Sequence, residues 1–262
     1  MSFQSLEIEY QQQVATVWMN RPELHNAFDE TLIAELGAAF AQLDAAPAVR
    51  VVVLAGRGKS FSAGADLNWM RRAAQNGVEE NLADARRLAG MLRTIAEMSK
   101  PTIARVQGAA LGGGMGLAAA CDIAVASTRA VFATSEVKFG IIPSAISPYV
   151  LRAIGPRQAY RYFQSAERID AARAREIGLV HEAVEPEQLD ARLAELVAAL
   201  AQGGPCAQTA AKSLIRAVSH QPINDAVVED TAQRIAHLRA TPEAREGIAA
   251  FLEKRPANWI AA

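Results

Sequence analysis

The chain has 262 residues, 51% of them hydrophobic and 21% charged, which is enough apolar content for a substantial core. A net charge of −1 excludes the strongly basic surface of a general nucleic-acid or anionic-membrane binder, and two cysteines without a C-x-x-C pair, Cys121 and Cys206, argue against a disulfide framework and a zinc site. The N-terminus lacks a basic segment followed by an apolar one, and no apolar run reaches the ~18 residues of a membrane helix, so a cytoplasmic protein is expected.

In chain order, "SLEIEYQQQVATVWMN" predicts two short strands in a hairpin, and "RPEL" a turn. "DETLIAELGAAFAQLD" carries apolar residues at helical spacing: Leu32, Leu36, Phe40 and Leu43. "VRVVVLAG" is a continuous valine-rich run, as expected of a buried strand. "GRGKSFSAGADL" is a loop of glycine and small residues, followed by a long amphipathic helix, "EENLADARRLAGMLRTIAEM". "PTIARVQG" predicts a strand, then come the glycine cluster "ALGGGMG", a short alanine-rich helix and a further strand, "DIAVAS". From about Pro143 helical segments dominate: "SPYVLRAI", "PRQAYRYFQSA", "DAARAREIG" and three longer ones to residue 252, with one strand, "LVHEAV", among them. Strand–helix alternation followed by helices predicts an α/β fold.

Two motifs hint at phosphate binding and fail. Gly114-x-Gly116-x-x-Ala119 matches a dinucleotide fingerprint, but the next strand ends in Ser127 and Thr128, with no acid to hold a ribose. "GRGKS" resembles the end of a P-loop, but the first glycine of that motif is replaced by Val53. A third pattern is a pair of loops, "FSAGAD" (61–66) and "GGGMG" (112–116), each following a predicted buried strand. Small residues there let backbone amides reach a ligand atom, and two amides from separate loops can hold a developing oxyanion. Close strand–helix packing explains the glycines equally well.

The ordered segments "MNRPELHNAF", "FSAGADL", "KPTIARVQGAALGGGMGLAAACDIAVAS", "SEVKFGIIP", "AREIGLVHEAV" and "FLEKRPANW" resemble the crotonase, or enoyl-CoA hydratase/isomerase, superfamily from about residue 5 to 259. The resemblance implies a crotonase-like ββα spiral over residues 1–195 and a helical C-terminal oligomerisation region over 196–262, packing trimers or dimers of trimers. It implies an acyl-CoA substrate with no separate cofactor and no metal, and an enolate held by the backbone amides of Ala65 and Gly113. It places CoA and acyl contacts near Leu24, His25, Ser62 and Ala63, at Gly64, Asp66, Leu67, Gly112 and Gly116, and at Phe251 and Lys254.

Family hydratases typically carry two glutamates, one three residues past the oxyanion glycine and one twenty residues further. Here the second is Glu136, and the first position is Gly116. Glu136 is thus the candidate acid/base, and its apolar neighbours Val137 and Phe139 predict a raised pKa. Three outcomes follow: hydration by one carboxylate, α–γ proton shuttling as in family isomerases, or an inactive acyl-CoA-binding member. A finer likeness favours the first: "FSAGADLNWM" and "SEVKFGIIPSAISPYVLRAIG" resemble the bacterial 3-methylglutaconyl-CoA and isohexenylglutaconyl-CoA hydratases of leucine and acyclic-terpene catabolism. Their substrates bear a second carboxylate, for which Ser144 and Tyr149 are candidates, while Ser147-Pro148 reads as a helix N-cap and first turn.

Overall fold

The computed structural model describes residues 3–219 and 221–260. Alternating burial along β2 (Val14–Met19) and a fully buried β3 (Val51–Gly56) place the N-terminal part of a six-stranded sheet. Its order is β1 (Leu6–Gln11), β2, β3, β4 (Thr102–Val106), β6 (Ile123–Ser127) and β9 (Glu182–Val184). The hairpin of β1 with β2 is antiparallel, and every later pairing in this sheet is parallel.

A smaller three-stranded sheet runs β5 (Ala109–Leu111), β7 (Val131–Ala133), β8 (Ile169–Asp170). Single parallel bridges, Phe28 to Ala65 and Ser62 to Ala110, extend this layer to earlier turns of the chain. Each turn of the chain therefore enters the large sheet, crosses to the small layer and returns through a helix. The pattern repeats as β4–β5–α4 (Gly113–Ala120) and β6–β7–α5 (Ser147–Ser165). This is the ββα spiral that the resemblance implied.

Both faces of β3 are buried because helices cover both sides. On one side Val52 and Leu54 meet the main core, which holds Leu32, Leu36, Phe40 and Leu43 of α1 (Glu30–Ala45) and Met91, Leu92 and Ile95 of α3 (Val78–Glu97). Each such buried side chain contributes about 1.5–3 kcal/mol. On the other side Val51, Val53, Ile103 and Val125 meet Leu189 and Leu193 of α7 (Leu189–Ala201). In chain order α2 (Leu67–Ala73) falls between α1 and α3, and α6 (Ala171–Glu176) precedes α7.

The last helices are α8 (Pro205–Val218), α9 (Asp225–Arg239) and α10 (Pro242–Leu252). Polar ties hold α8 to the body: Lys212 Nζ meets Asp122 Oδ2 at 2.7 Å, and Arg216 donates to the Ala96 carbonyl at 3.1 Å. Among the described residues, α8 and α9 bury no side chain fully, and α10 buries only Ala250.

The segments "SPYVLRAI" and "PRQAYRYFQSA" are two helical stretches, labelled together α5, that meet at a break at Gly155 (φ 70°, ψ 163°), as expected. One expectation is corrected at the start of α5. Ser147 does not cap it. Ile146 already has helical dihedrals and accepts from the Tyr149 and Val150 amides at 3.1 Å, so the helix starts one residue early. The Ser147 hydroxyl donates instead to the Ser144 carbonyl at 2.8 Å.

Candidate active site

The two small-residue loops meet. Ser62 donates its amide to the Ala109 carbonyl at 3.0 Å and accepts from Leu111 at 2.9 Å. Gly64 has φ +89°, and a Cβ there would sit 2.8 Å from the Leu111 carbonyl oxygen and 3.8 Å from Gly112 Cα. Glycine is required at 64 by conformation and by contact. Ala65 and Gly113, the next residues on the two loops, are thereby set side by side.

Phe28 holds both. Its amide donates to the Gly64 carbonyl at 2.6 Å, and its carbonyl accepts from Asp66 at 2.8 Å. In this parallel bridge the Ala65 amide itself points away from Phe28, free for another acceptor. The Phe28 ring lies beneath Gly113, where a Cβ would fall 2.3 Å from Cε2. Among the described residues neither the Ala65 nor the Gly113 amide finds an acceptor within the protein. Gly113 also opens α4, so its N–H carries the partial positive charge of a helix start.

Glu136 follows β7 in a short 3-10 turn, Glu136–Phe139, closed by left-handed Gly140. The Gly112 amide donates to the Ala133 carbonyl at 2.8 Å, which ties this turn to the glycine loop. Glu136 Oε1 stands 3.2 Å from the point a Cβ on Gly112 would occupy. Glu136 Oε2 is buried and has no hydrogen-bond partner. Burial pushes this carboxyl above its usual range, opposed only by a bond from its own backbone, and no charged neighbour contributes. An acid/base poised upward, next to two free amides, is equipped to move a proton at a carbon whose neighbouring carbonyl oxygen those amides hold.

The remaining expected residues divide. Asp66 is buried but faces its own helix: Oδ1 accepts from the Asn68 and Trp69 amides at 2.8 and 3.2 Å, capping α2, and Arg21 lies 3.4 Å from Oδ2. Ser62 is fully buried, its hydroxyl donating to the Asn26 carbonyl at 2.8 Å, so it supports the loop and cannot line a CoA path. The Ala63 amide is taken by the His25 carbonyl at 2.9 Å, and His25 Nδ1 pairs with Ser60 Oγ at 3.0 Å. Leu24 and Leu67 are exposed on this side. Phe251, 82% exposed, and Lys254 lie at the end of α10 and are not part of the loop cluster.

Gly116 is the sharpest correction. It is buried, and it opens no space for ligand: a Cβ there would lie 2.2 Å from Ile146 Cγ2. Sequence reasoning also missed Asn26, a buried residue with φ 53° whose Nδ2 reaches the carbonyls of Arg57, Ser60 and Phe61 at 2.9–3.2 Å. Asparagine in a left-handed turn was its only signal. Trp69, four residues past Ala65, keeps its indole N–H buried and unpartnered.

The family profile described as enoyl-CoA hydratase/isomerase matches residues 9–261. The chain belongs to the enoyl-CoA hydratase/isomerase family. It is an enzyme of that family, built on its α/β crotonase fold. An enoyl-CoA hydratase structure from Shewanella pealeana superposes with a TM-score of 0.96 at 41% identity, covering 98% of this chain and 96% of that one. Crotonyl-CoA hydratase of Syntrophomonas wolfei is 33% identical over 99% of both chains. The 2,3-dehydroadipyl-CoA hydratase of Escherichia coli is 33% identical over 97% of this chain and 98% of its own. In the enoyl-CoA hydratase/isomerase setting, the free amide pair and the adjacent carboxyl acquire a substrate class. The described residues include no helix long and apolar enough to cross a membrane.

Proposed function

We propose that this enzyme is an enoyl-CoA hydratase that works with one carboxylate, on substrates of the 3-methylglutaconyl-CoA type. The observation that carries the reading is Glu136 Oε2, buried and unpartnered beside the loop that offers the Gly113 amide. The thioester oxygen is received by the Ala65 and Gly113 N–H groups, which strengthen their hold as the enolate charge develops. Glu136 takes a proton from water as the water oxygen bonds to the β-carbon, then returns that proton to the α-carbon. No net proton is gained, and the carboxylate is restored.

For a second carboxylate on the acyl group, the surroundings of α2 offer donors. A cleft of about 340 Å³ is lined by Trp69, Asn76, Arg72, Arg87 and Glu80, the two arginines being ion-paired with the cleft's own Glu30 and Asp84. The buried Trp69 N–H is a donor still without an acceptor. Ser144 is exposed and Tyr149 half-buried, and both remain candidates for that carboxylate beside this cleft. The uncovered apolar residues of the C-terminal helices, among them Ile215, Val228, Ile235 and Ile248, support packing of residues 196–262 into a trimer or dimer of trimers.

The test is Glu136→Gln. Turnover of 3-methylglutaconyl-CoA and crotonyl-CoA should fall about 10²–10⁴-fold, the usual scale of a lost acid/base, while binding of an unreactive acyl-CoA persists. Hydration by the variant at the parent rate removes Glu136 from the mechanism. Conversion of a 3-enoyl-CoA to its conjugated isomer, without hydration of a 2-enoyl-CoA, establishes the isomerase alternative instead.

A further inference from the structure

Gly112 and Gly116 stand one turn apart at the start of α4, linked by the Gly116 amide donating to the Gly112 carbonyl at 3.1 Å. A side chain at 112 would run towards the Glu136 carboxyl, 3.2 Å away, and one at 116 would run into Ile146, 2.2 Å from Cγ2 and 2.7 Å from Cβ. Contacts under 3.0 Å of this kind cannot be relieved by a rotamer change alone when a β-branched side chain is the obstacle. Ile146 is buried to 3% exposure, belongs to the main core and is fixed at the start of α5 by its own carbonyl bonds to Tyr149 and Val150. Glu136 thus meets the residue that precedes α4 and Ile146 its first turn, an acid over the first glycine and a rigid apolar plug over the second.

We propose that Ile146 is a positioning residue that plugs the α4 edge beside Glu136 and excludes both a second carboxylate and water from that side of the acyl group. Gly116 and Ile146 form a size-matched pair: the helix gives up a side chain and the α5 start supplies one. The consequence for chemistry is that Glu136 works alone. Its upward shift comes chiefly from burial, with no charged partner, so whatever keeps this edge dry sustains that shift. The nearby Tyr149 phenol is influenced by Glu97, Arg152 and Arg93, none of which acts on Glu136. This inference rests on Glu136 being the acid/base.

The experiment compares Ile146→Val, Ile146→Ala, Gly116→Ala and the Gly116→Ala/Ile146→Ala pair, with crotonyl-CoA as substrate across pH. Admitting water beside Glu136 should move the carboxyl limb of the kcat–pH profile downward, by about one unit in Ile146→Ala and less in Ile146→Val, with KM nearly unchanged. Gly116→Ala should lose at least about tenfold in kcat, and the pair should recover most of that loss, since adjacent groups couple strongly. Ile146→Val keeps the test open even where Gly116→Ala does not fold. An unshifted pH limb in both Ile146 variants, or a pair no better than Gly116→Ala, overturns the role of Ile146 while leaving Glu136 intact. Parent-like turnover by Glu136→Gln, by contrast, overturns the single-acid reading and this inference with it.

Discussion

Replacing Gly64 by alanine tests the amide pair without touching a reacting side chain. The residue has φ +89°, and its added Cβ would press to 2.8 Å against the Leu111 carbonyl oxygen. Ordinary contact begins near 3.4 Å, so the loops must part by about half an ångström, and the left-handed backbone adds about 1–2 kcal/mol of strain. Leu111 is anchored in β5 and Gly64 is held by Phe28 through its carbonyl at 2.6 Å, so the displacement falls on the Gly64–Ala65 peptide and turns the Ala65 amide off line. Losing one oxyanion donor costs about 2.7–4 kcal/mol, or 10²–10³ in kcat. Steady-state hydration of crotonyl-CoA should show that loss with KM changed less than about threefold, because the amide acts most strongly on the enolate. The melting temperature should fall by about 2–8 °C for a chain of this size. A folded Gly64→Ala enzyme with kcat within about threefold of the parent would refute the role of the Ala65 amide.

Asp66 acts one residue further along. Asp66→Ala removes the cap of α2 and the partner of Arg21; a lost cap costs about 0.5–2 kcal/mol, so a thermal melt should drop by several degrees and kcat should fall about tenfold. Asp66→Asn, which keeps the cap, should restore most of both, and equal losses in the two variants would place the effect elsewhere. The Glu136 carboxyl supplies a pH prediction. Its folded pKa lies above the ordinary 4.5, so protonation favours the folded state: that stabilisation is full below 4.5 and is lost as pH rises through the folded value. Glu136→Gln should therefore melt higher than the parent at neutral pH, and the two curves should converge in acid. A variant that melts lower than the parent at neutral pH contradicts the buried, unpartnered carboxyl.

Much of this was legible from the chain. The helical spacing of Leu32, Leu36, Phe40 and Leu43 and the unbroken run in β3 are strong periodic signals, and both elements lie where they were expected. The strands of the small layer were not legible, since β5 and β7 have three residues each and β8 two, too few for any periodicity. Glycines mark sites of close approach but do not say what approaches. Gly113 meets a phenylalanine ring from eighty-odd positions earlier, and Gly116 an isoleucine thirty positions later. Asp66 and Ser62 belong to a motif shared with the site, yet their polar groups are spent on a helix end and a loop carbonyl. Which member of a motif touches ligand and which holds its neighbours depends on direction, and direction is set by the fold.

The second core, behind β3, has a bearing on how the chain is made. Val51 and Val53 wait for Leu189 and Leu193, so this face of the growing sheet stays bare while roughly 130 further residues are added, about 7–26 s at ordinary rates of translation. During that interval a valine-rich strand is open to other nascent chains. The helix that ends the exposure comes after every strand of both sheets, so this face closes only once α7 has been made, with α8, α9 and α10 still to follow.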